Sequence, residues 1–154
     1  MSILKIITNT PKTMLEMYDY MIDQNKTSAD TIFGIWCNPF TAIEEMQFVK
    51  NIYHSNYLHP YTQIIFIFDV GVNYDLYIIE SICKQIGYSL ITDKRQVFGA
   101  IHYKGNEQTG IHCHYMINSV GIYGNHYKIM HYLRYYELVN RILISYGLNP
   151  IKMF

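Results

Sequence analysis

The chain has 154 residues, half of them hydrophobic, and its 12 Lys and Arg residues balance its 12 Asp and Glu residues. This length allows one domain with a sizeable core, and no apolar run reaches the length of a membrane span. The neutral total excludes a uniformly basic protein, but residues 93–154 hold seven basic against three acidic residues, which is a modest hint of an anionic partner.

The N-terminus and the cysteines indicate the compartment. Residues 1–5 lack the charged and then apolar pattern of a signal peptide. Cys37, Cys83 and Cys113 are odd in number and lack the paired spacing of a metal site or a disulfide framework. We therefore expect a cytoplasmic protein with reduced thiols.

Hydrophobic periodicity predicts strands and helices that alternate loosely. Thr10 and Pro11 are expected to begin the first helix, as its cap and its first helical residue. In chain order the predicted elements are a strand at 3–7, a helix at about 11–22, a strand at 31–36, a helix at about 39–53, a strand at 61–68, a helix at about 74–86, strands at 96–102 and 111–118, and a helix at about 128–146. This order predicts a two-layer α+β domain that spans residues 1–154.

Three histidines fall within thirteen residues, in the two strands of a predicted hairpin. His112 and His114 are two residues apart, so in a strand they point to the same face while Cys113 points to the other. His102 ends the preceding strand, and the polar, glycine-bounded connector 104–110 folds it back toward them. Three imidazoles on one sheet face are a good site for a divalent metal ion with open coordination positions.

A simpler interpretation of these histidines requires no metal ion. A single strand histidine is usually hydrogen-bonded in the core, and only the combination of two neighbours and a third across the hairpin favours a metal. Glu107 in the connector is a candidate oxygen ligand, although a solvated loop carboxylate is the simpler expectation. The other four histidines are expected at the surface: His54, His59, His126 and His131.

The histidine block resembles the metal motif of the HUH endonucleases, most closely that of the conjugative and mobilisation relaxases. The resemblance rests on a strand ending in histidine, residues 97–102, and on His-x-His followed by Asn-Ser-Val, residues 111–120. Residues 124–127 resemble the turn after this motif in the family, and residues 134–148 resemble its closing helix. Tyr20-Met21-Ile22, followed by Lys26-Thr27, resembles the segment that carries the nucleophilic tyrosine.

The resemblance implies a fold and a reaction. The fold is a central antiparallel β-sheet with helices packed mainly on one face. The reaction is a metal-dependent nick of single-stranded DNA at the transfer origin of a plasmid or mobile element, which leaves a covalent 5′-phosphotyrosine and a 3′-hydroxyl. The implied cofactor is Mg²⁺ or Mn²⁺, with Zn²⁺, Ni²⁺ or Co²⁺ as alternatives. The implied partners are this single-stranded DNA and accessory DNA-binding or coupling proteins. No membrane partner is expected.

The resemblance also implies which residues act. Tyr20 is the expected nucleophile and Tyr18 is the reserve candidate, although their positions alone are equally typical of helix tyrosines packed on a sheet. The expected metal ligands are His102, His112 and His114. The expected DNA-binding residues are Lys26, Lys104, Asn118, Lys128 and Arg134.

The chemistry requires metal and tyrosine together. A phenol with a pKa near 10 is only about one part in a thousand ionised at pH 7, a deficit of roughly 4 kcal/mol. A divalent ion that polarises the scissile phosphate can offset this deficit.

Two alternatives remain. In transposases and replication initiators of the same superfamily the nucleophile follows the histidines, which would make it Tyr135 or Tyr136. The other alternative is an inactive nucleic-acid-binding relative, because His102-Tyr103-Lys104 lacks the acid that often follows the first histidine in the family. Glu107 is the only nearby carboxylate in the connector that can replace it.

Overall fold

A computed structural model describes residues 1–8, 11–56, 58–91, 93–105 and 109–151. Within these ranges, five strands form one antiparallel sheet and four α-helices pack on it, which confirms the predicted α+β class. The strands are β1 (Ile3–Ile7), β2 (Ile32–Ile35), β3 (Tyr61–Ile67), β4 (Val97–His102) and β5 (His112–Asn118). The helices are α1 (Met14–Met21), α2 (Ala42–Ile52), α3 (Leu76–Ser89) and α4 (Tyr132–Ser145).

The strand order is β1-β3-β5-β4-β2, so β5 lies at the centre of the sheet. β5 pairs with β3 on one side and with β4 on the other, and every pairing is antiparallel. Side chains of β5 alternate between two faces that are both covered, and from Cys113 to Asn118 they are all buried. The histidines therefore lie at one end of the central strand pairs, where β5 is hydrogen-bonded to a neighbour on each side.

One face of the sheet is covered by the two 14-residue helices α3 and α4. The apolar side of α3 places Ile82 and Ile86 against the sheet, and Val139 and Leu143 of α4 complete this layer. Their sheet partners are buried residues from β1 to β5: Leu4, Phe33, Ile35, Ile64, Phe66, Val97, Ile101, Cys113, Tyr115 and Ile117.

The other face carries the two shorter helices and a smaller core rich in methionine. Met14, Met17 and Met21 recur at helical spacing on the buried side of α1. They pack with residues of α2 and of the sheet, namely Ala42, Met46, Tyr61, Phe98, Ala100 and Met116. Because Ala100 and Met116 belong to this face, the next alternate residues, His102 and His114, face the same side as α1.

All four helices begin two to four residues later than the sequence predicts, and for α1 and α4 a side-chain cap accounts for the later start. Thr13 caps α1, accepting a hydrogen bond from the Glu16 backbone N–H at 3.1 Å, and the Glu16 carboxylate accepts one from the Thr13 N–H at 3.0 Å. With this capping box the helix begins at Met14 and not at Pro11. Thr10, the expected cap, lies outside the described residues. His131 caps α4, since its ring accepts a hydrogen bond from the Leu133 N–H at 3.4 Å.

None of the helices in the described ranges combines the length and the apolar character that crossing a membrane requires.

The packing of Phe33 over Gly99 provides a test of the fold. A Cβ atom on Gly99 would lie 2.2 Å from Cζ of Phe33, so we expect Gly99→Ala to destabilise the protein by about 1–3 kcal/mol in urea unfolding. Phe33→Leu should relieve the clash, so the double variant is expected to lose less than the sum of the two single losses. An unchanged urea midpoint for Gly99→Ala would contradict this packing.

Candidate metal centre

The three histidines of the β4–β5 hairpin meet at one point on the α1 side of the sheet. His102 pairs directly with His112 across the strands, and His114 follows on the same face of β5. One ring nitrogen from each residue lies within 4.8 Å of the other two. The ring centroids are 4.5 Å apart for His102 and His114, and 5.1 Å apart for the other two pairs. The structure thus brings together all three of the predicted ligands.

Backbone carbonyl groups orient two of the rings. Nε2 of His102 lies 2.9 Å from the carbonyl oxygen of Met21, the last residue of α1. Nδ1 of His112 lies 3.1 Å from the carbonyl oxygen of Gly110. Because a carbonyl only accepts hydrogen bonds, each of these nitrogens carries the proton. Coordination of an ion by these two residues would therefore use Nδ1 of His102 and Nε2 of His112.

His114 is oriented by a side chain rather than by the backbone. The amide of Gln63, in β3, lies 3.0 Å from Nδ1 of His114. The amide can donate to Nδ1 through its NH₂ group or, after a 180° rotation, accept from Nδ1 through Oε1. In the second orientation Nδ1 carries the proton, and Nε2 keeps its lone pair. Nε2 is buried and has no hydrogen-bond partner among the residues that the structure describes. A buried nitrogen of this kind fits a metal ligand.

Burial keeps the three imidazoles neutral. Desolvation lowers the pKa of His114 to about 2 and the pKa of His102 to about 4, and it also lowers the pKa of His112. The positive charge of Lys26 adds to each of these shifts. Since metal ions bind the neutral imidazole, the ligands need not lose a proton at pH 7. The residues present fit a divalent ion.

Three imidazoles alone leave coordination positions open, as a site that polarises a substrate requires. Glu107, the candidate oxygen ligand, lies outside the described residues. None of the other four histidines belongs to a group of ligand residues in the described part of the chain.

Tyr20 lies beside the histidines, near the end of α1. Its ring centroid is 5.5 Å from that of His114 and 5.7 Å from that of His102, with edge-to-face geometry. The ammonium groups of Lys12 and Lys26 lie 4.0 Å and 3.9 Å from the same ring centroid. Two positive charges therefore stand next to the phenol and the imidazole cluster.

Tyr18, the reserve candidate, points elsewhere. Its hydroxyl donates a hydrogen bond to the carbonyl oxygen of Pro39 at 2.9 Å, and its ring packs on Phe98 at a centroid distance of 4.7 Å. Desolvation raises the pKa of this phenol, and the nearby carboxylate of Glu44 raises it further. This environment opposes the formation of a phenolate.

A pocket of about 300 Å³ opens beside Tyr20 and His114. Its polar lining comes from these two residues together with Lys12 and Gln63, and its apolar lining consists of Ile7, Pro11, Met17 and Ile65. The phenol of Tyr20 and the candidate ligand His114 therefore line the same pocket. It offers both charge and apolar surface to a ligand placed against the cluster.

Only two of the five predicted DNA-binding residues lie near the cluster. Lys26 contacts Tyr20, and its carbonyl oxygen accepts hydrogen bonds from the backbone N–H groups of Tyr103 and Lys104. Lys128 is exposed in the segment before α4, and Arg134 lies on α4 itself, where it pairs with Glu137 at 2.8 Å. Because α4 packs on the opposite face of the sheet, neither residue is brought to the histidines.

Asn118 has no exposed surface, so its side chain is not placed to touch DNA. Its amide nitrogen donates to Oε1 of Gln96 at 3.0 Å and to the carbonyl of Met46 at 3.3 Å. Its amide oxygen accepts from the buried ammonium group of Lys50. The expectation that Asn118 binds DNA therefore gives way to a structural role at the far end of β5.

The alternative nucleophiles lie across the sheet from the histidines. Tyr135 is fully buried in the α3–α4 layer, where its hydroxyl contacts that of Tyr127 at 2.7 Å. Tyr136 packs at the edge of the same layer. Neither phenol shares a face with the imidazoles.

Sequence reasoning did not find Gln63 and Lys12. Gln63 is a polar residue directly before the apolar run 64–67 of its strand, and this position was the available signal. Lys12 stands before a helix with no pattern to distinguish it. Gln63 is brought to His114 by the pairing of β3 with β5. Lys12 is brought to the Tyr20 ring by the path of the chain just before α1.

Comparison with known families agrees with this arrangement. A family model described as the nuclease domain of MobA/VirD2-like relaxases matches residues 18–148. The matched span contains Tyr20 and all three histidines, whereas Lys12 precedes it. No curated protein sequence gives a significant match to the chain.

Metal binding is expected to depend on Gln63 as well as on the histidines. Replacing His112 and His114 together by Ala should abolish binding of Mn²⁺ or Co²⁺ in calorimetric titration. Gln63→Leu should weaken it by about 10–100-fold, because the tautomer of His114 is no longer fixed, while Gln63→Glu should retain it. Gln47→Leu, at an exposed glutamine of α2, is the matched control. Equal affinities for wild type and Gln63→Leu would contradict the assigned role.

The metal-free protein is expected to lose stability as the pH falls from 6.5 toward 4. Unfolded histidines bind protons below their ordinary pKa of 6.5, whereas His102 and His114 stay neutral when folded. Each of them therefore contributes up to about 1.4 kcal/mol of destabilisation per pH unit in this window. The measurement is urea unfolding in a chelator at several pH values.

A matched pair of variants isolates this effect from other titrating groups. His114→Gln should flatten the pH dependence relative to wild type, whereas His54→Asn, in the exposed loop after α2, should not. Parallel curves for wild type and His114→Gln would show that burial of this imidazole does not govern the pH dependence.

Proposed function

This chain belongs to the MobA/VirD2-like relaxases, and we propose that it nicks single-stranded DNA with Tyr20 as the nucleophile. The family implies DNA nicking. The observation that carries the finer assignment is the position of the Tyr20 ring, 5.5 Å from His114 and 5.7 Å from His102. Of the four tyrosines considered, Tyr20 alone combines this proximity with two neighbouring ammonium groups.

In the proposed reaction, the phenol oxygen of Tyr20 attacks the phosphorus of the scissile phosphodiester. A tyrosyl O–P bond forms, and the bond between phosphorus and the 3′ oxygen breaks. The phenol loses one proton and the departing 3′ oxygen gains one, so no net proton is consumed. The products are a covalent 5′-phosphotyrosine and a 3′-hydroxyl, and the reverse reaction reseals the strand.

The lysines and the pocket bind the substrate. Lys12 and Lys26 are both close enough to the Tyr20 ring to contact a phosphate held against the phenol, and phosphate contacts supply most non-specific affinity for DNA. The pocket of about 300 Å³ beside them has room for part of a nucleotide. Lys104, anchored next to Lys26 by its own backbone, extends this positive surface.

A divalent ion held by His102, His112 and His114 would supply Lewis-acid polarisation of the scissile phosphate. Mn²⁺ and Mg²⁺ are the proposed ions, with Zn²⁺, Ni²⁺ or Co²⁺ as alternatives. Imidazole donors suit Mn²⁺ better than Mg²⁺, which prefers oxygen ligands. The carbonyl of Met21 keeps His102 in the tautomer that this binding needs. The amide of Gln63 would do the same for His114 when its Oε1 accepts from Nδ1.

The biological setting is proposed from the family. The substrate is single-stranded DNA at the transfer origin of a plasmid or mobile element, and accessory DNA-binding or coupling proteins are proposed to deliver the chain to it. The chain as a whole is neutral, so its affinity for DNA should be modest and should fall with salt.

Covalent capture of a nicked oligonucleotide tests the nucleophile. With Mn²⁺ present, wild type is expected to form a protein–DNA adduct that survives denaturing electrophoresis, and Tyr20→Phe should form none because the attacking oxygen is absent. Tyr18→Phe, two residues away, should retain the adduct. An adduct that persists in Tyr20→Phe and disappears in Tyr136→Phe would assign the nucleophile to α4 and overturn the proposal.

A further inference from the structure

A second group of exposed aromatic side chains lies at the end of the sheet opposite the histidines. It consists of Trp36 and Tyr123 with the ammonium group of Lys94 between them, and we call these three residues the aromatic platform. Trp36 follows β2, Lys94 precedes β4, and Tyr123 lies in the turn after β5. We propose that the aromatic platform stacks bases of single-stranded nucleic acid, with Lys94 contacting the backbone phosphate. This inference rests on the proposed function, because it identifies a second contact for the same DNA.

Trp36 is held in an unusual conformation that exposes it. Its φ angle is 57°, and its side chain is 52% exposed. The chain turns sharply here, because the carbonyl oxygen of Cys37 lies only 2.0 Å from the position of a Cβ atom on Gly34. Glycine would adopt the left-handed conformation of this turn at lower cost than a bulky residue. A large aromatic at a strained, solvent-facing position is more easily explained by binding than by folding.

Lys94 places one positive charge between two aromatic rings. Its ammonium nitrogen is 5.3 Å from the centroid of the Trp36 ring and 5.8 Å from that of Tyr123, whose side chain is 70% exposed. The nearest acidic neighbour in sequence, Asp93, is engaged by Arg95 at 3.0 Å and by the amide of Asn125. The charge of Lys94 is therefore presented to solvent together with two π-faces.

The turn beneath the aromatic platform is held firmly. The Tyr53 hydroxyl donates to the carbonyl oxygen of Ile122 at 2.6 Å, and the Ile122 N–H donates to the carbonyl of Lys94 at 3.0 Å. Arg95, which is fully buried, also donates to the carbonyl of Asn125 at 3.0 Å. These bonds tie the segment before β4 to the turn after β5. The exposed rings thus stand on a preorganised base, which lowers the entropic cost of binding.

Single-stranded nucleic acid is the occupant that this chemistry favours. Exposed aromatic faces beside a cation are the usual means of binding unpaired bases and their backbone without sequence preference. Ile35 pairs with Val97, so Trp36, the next residue, lies roughly 20 Å from the triad along β4, at about 3.3 Å per residue. One strand of a few nucleotides can reach from Tyr20 to this surface.

Fluorescence provides a direct test, because Trp36 is the sole tryptophan of the chain. Titrating wild type with a thymidine oligonucleotide of about twelve residues should quench its emission to a plateau. Tyr123→Ala should raise the Kd by about tenfold, through loss of one stacking partner. Lys94→Ala should reduce the slope of log Kd against log salt by about one. Matched controls are Tyr77→Ala and Lys84→Ala on α3, which should leave both quantities unchanged.

Parallel measurements separate this inference from the proposed nuclease function. Anisotropy of a labelled oligonucleotide reports binding anywhere on the protein, and adduct formation reports Tyr20. Oligonucleotide binding without a change in Trp36 emission, or equal quenching by inorganic polyphosphate, would overturn the aromatic platform while leaving the nuclease proposal intact. Absence of oligonucleotide binding in the anisotropy measurement would also overturn it. Retained quenching with no adduct would support the aromatic platform and contradict the nuclease.

Discussion

The register of the β4–β5 hairpin is the constraint on which the candidate site depends. Direct pairing of His102 with His112 puts their side chains on one face, and His114 joins them because it is two residues further along β5. A shift of one residue would turn the β5 histidines into the α3–α4 core. The register is fixed by that core, since Ile101, Cys113 and Tyr115 occupy the alternate positions and are fully buried. Hydrophobic burial on one face therefore aligns imidazoles on the other.

Helix α1 connects the imidazole cluster to the phenol. The carbonyl oxygen of Met21 lies 2.9 Å from Nε2 of His102, and Tyr20 is the preceding residue of the same helix. The burial of Met14, Met17 and Met21 fixes the rotation and depth of α1 on the sheet. The same contact that selects the tautomer of His102 thus also sets the position of Tyr20. The proposed nucleophile and the candidate ligands are therefore positioned as one unit, although 81 residues separate Met21 from His102.

The sequence predicted the parts of this arrangement that depend on local periodicity. Alternation along a strand was enough to put His112 and His114 on one face, and the hairpin loop was enough to return His102 to them. The pairing of β3 with β5, which brings Gln63 to His114, joins residues 51 apart and leaves no periodic signal. The burial of Asn118 was missed for a related reason, because its partners come from α2 and from the segment before β4.

A neutral chain can bind an anionic strand when its cations are concentrated where the strand must lie. Lys12 and Lys26 stand beside Tyr20, and Lys94 stands at the other end of the sheet. The carboxylate of Asp93, which is the acid closest in sequence to Lys94, is held by the buried guanidinium of Arg95. Local charge and aromatic surface then determine affinity, while the net charge governs only the long-range attraction that salt screens. A neutral composition alone therefore does not argue against DNA binding by this fold.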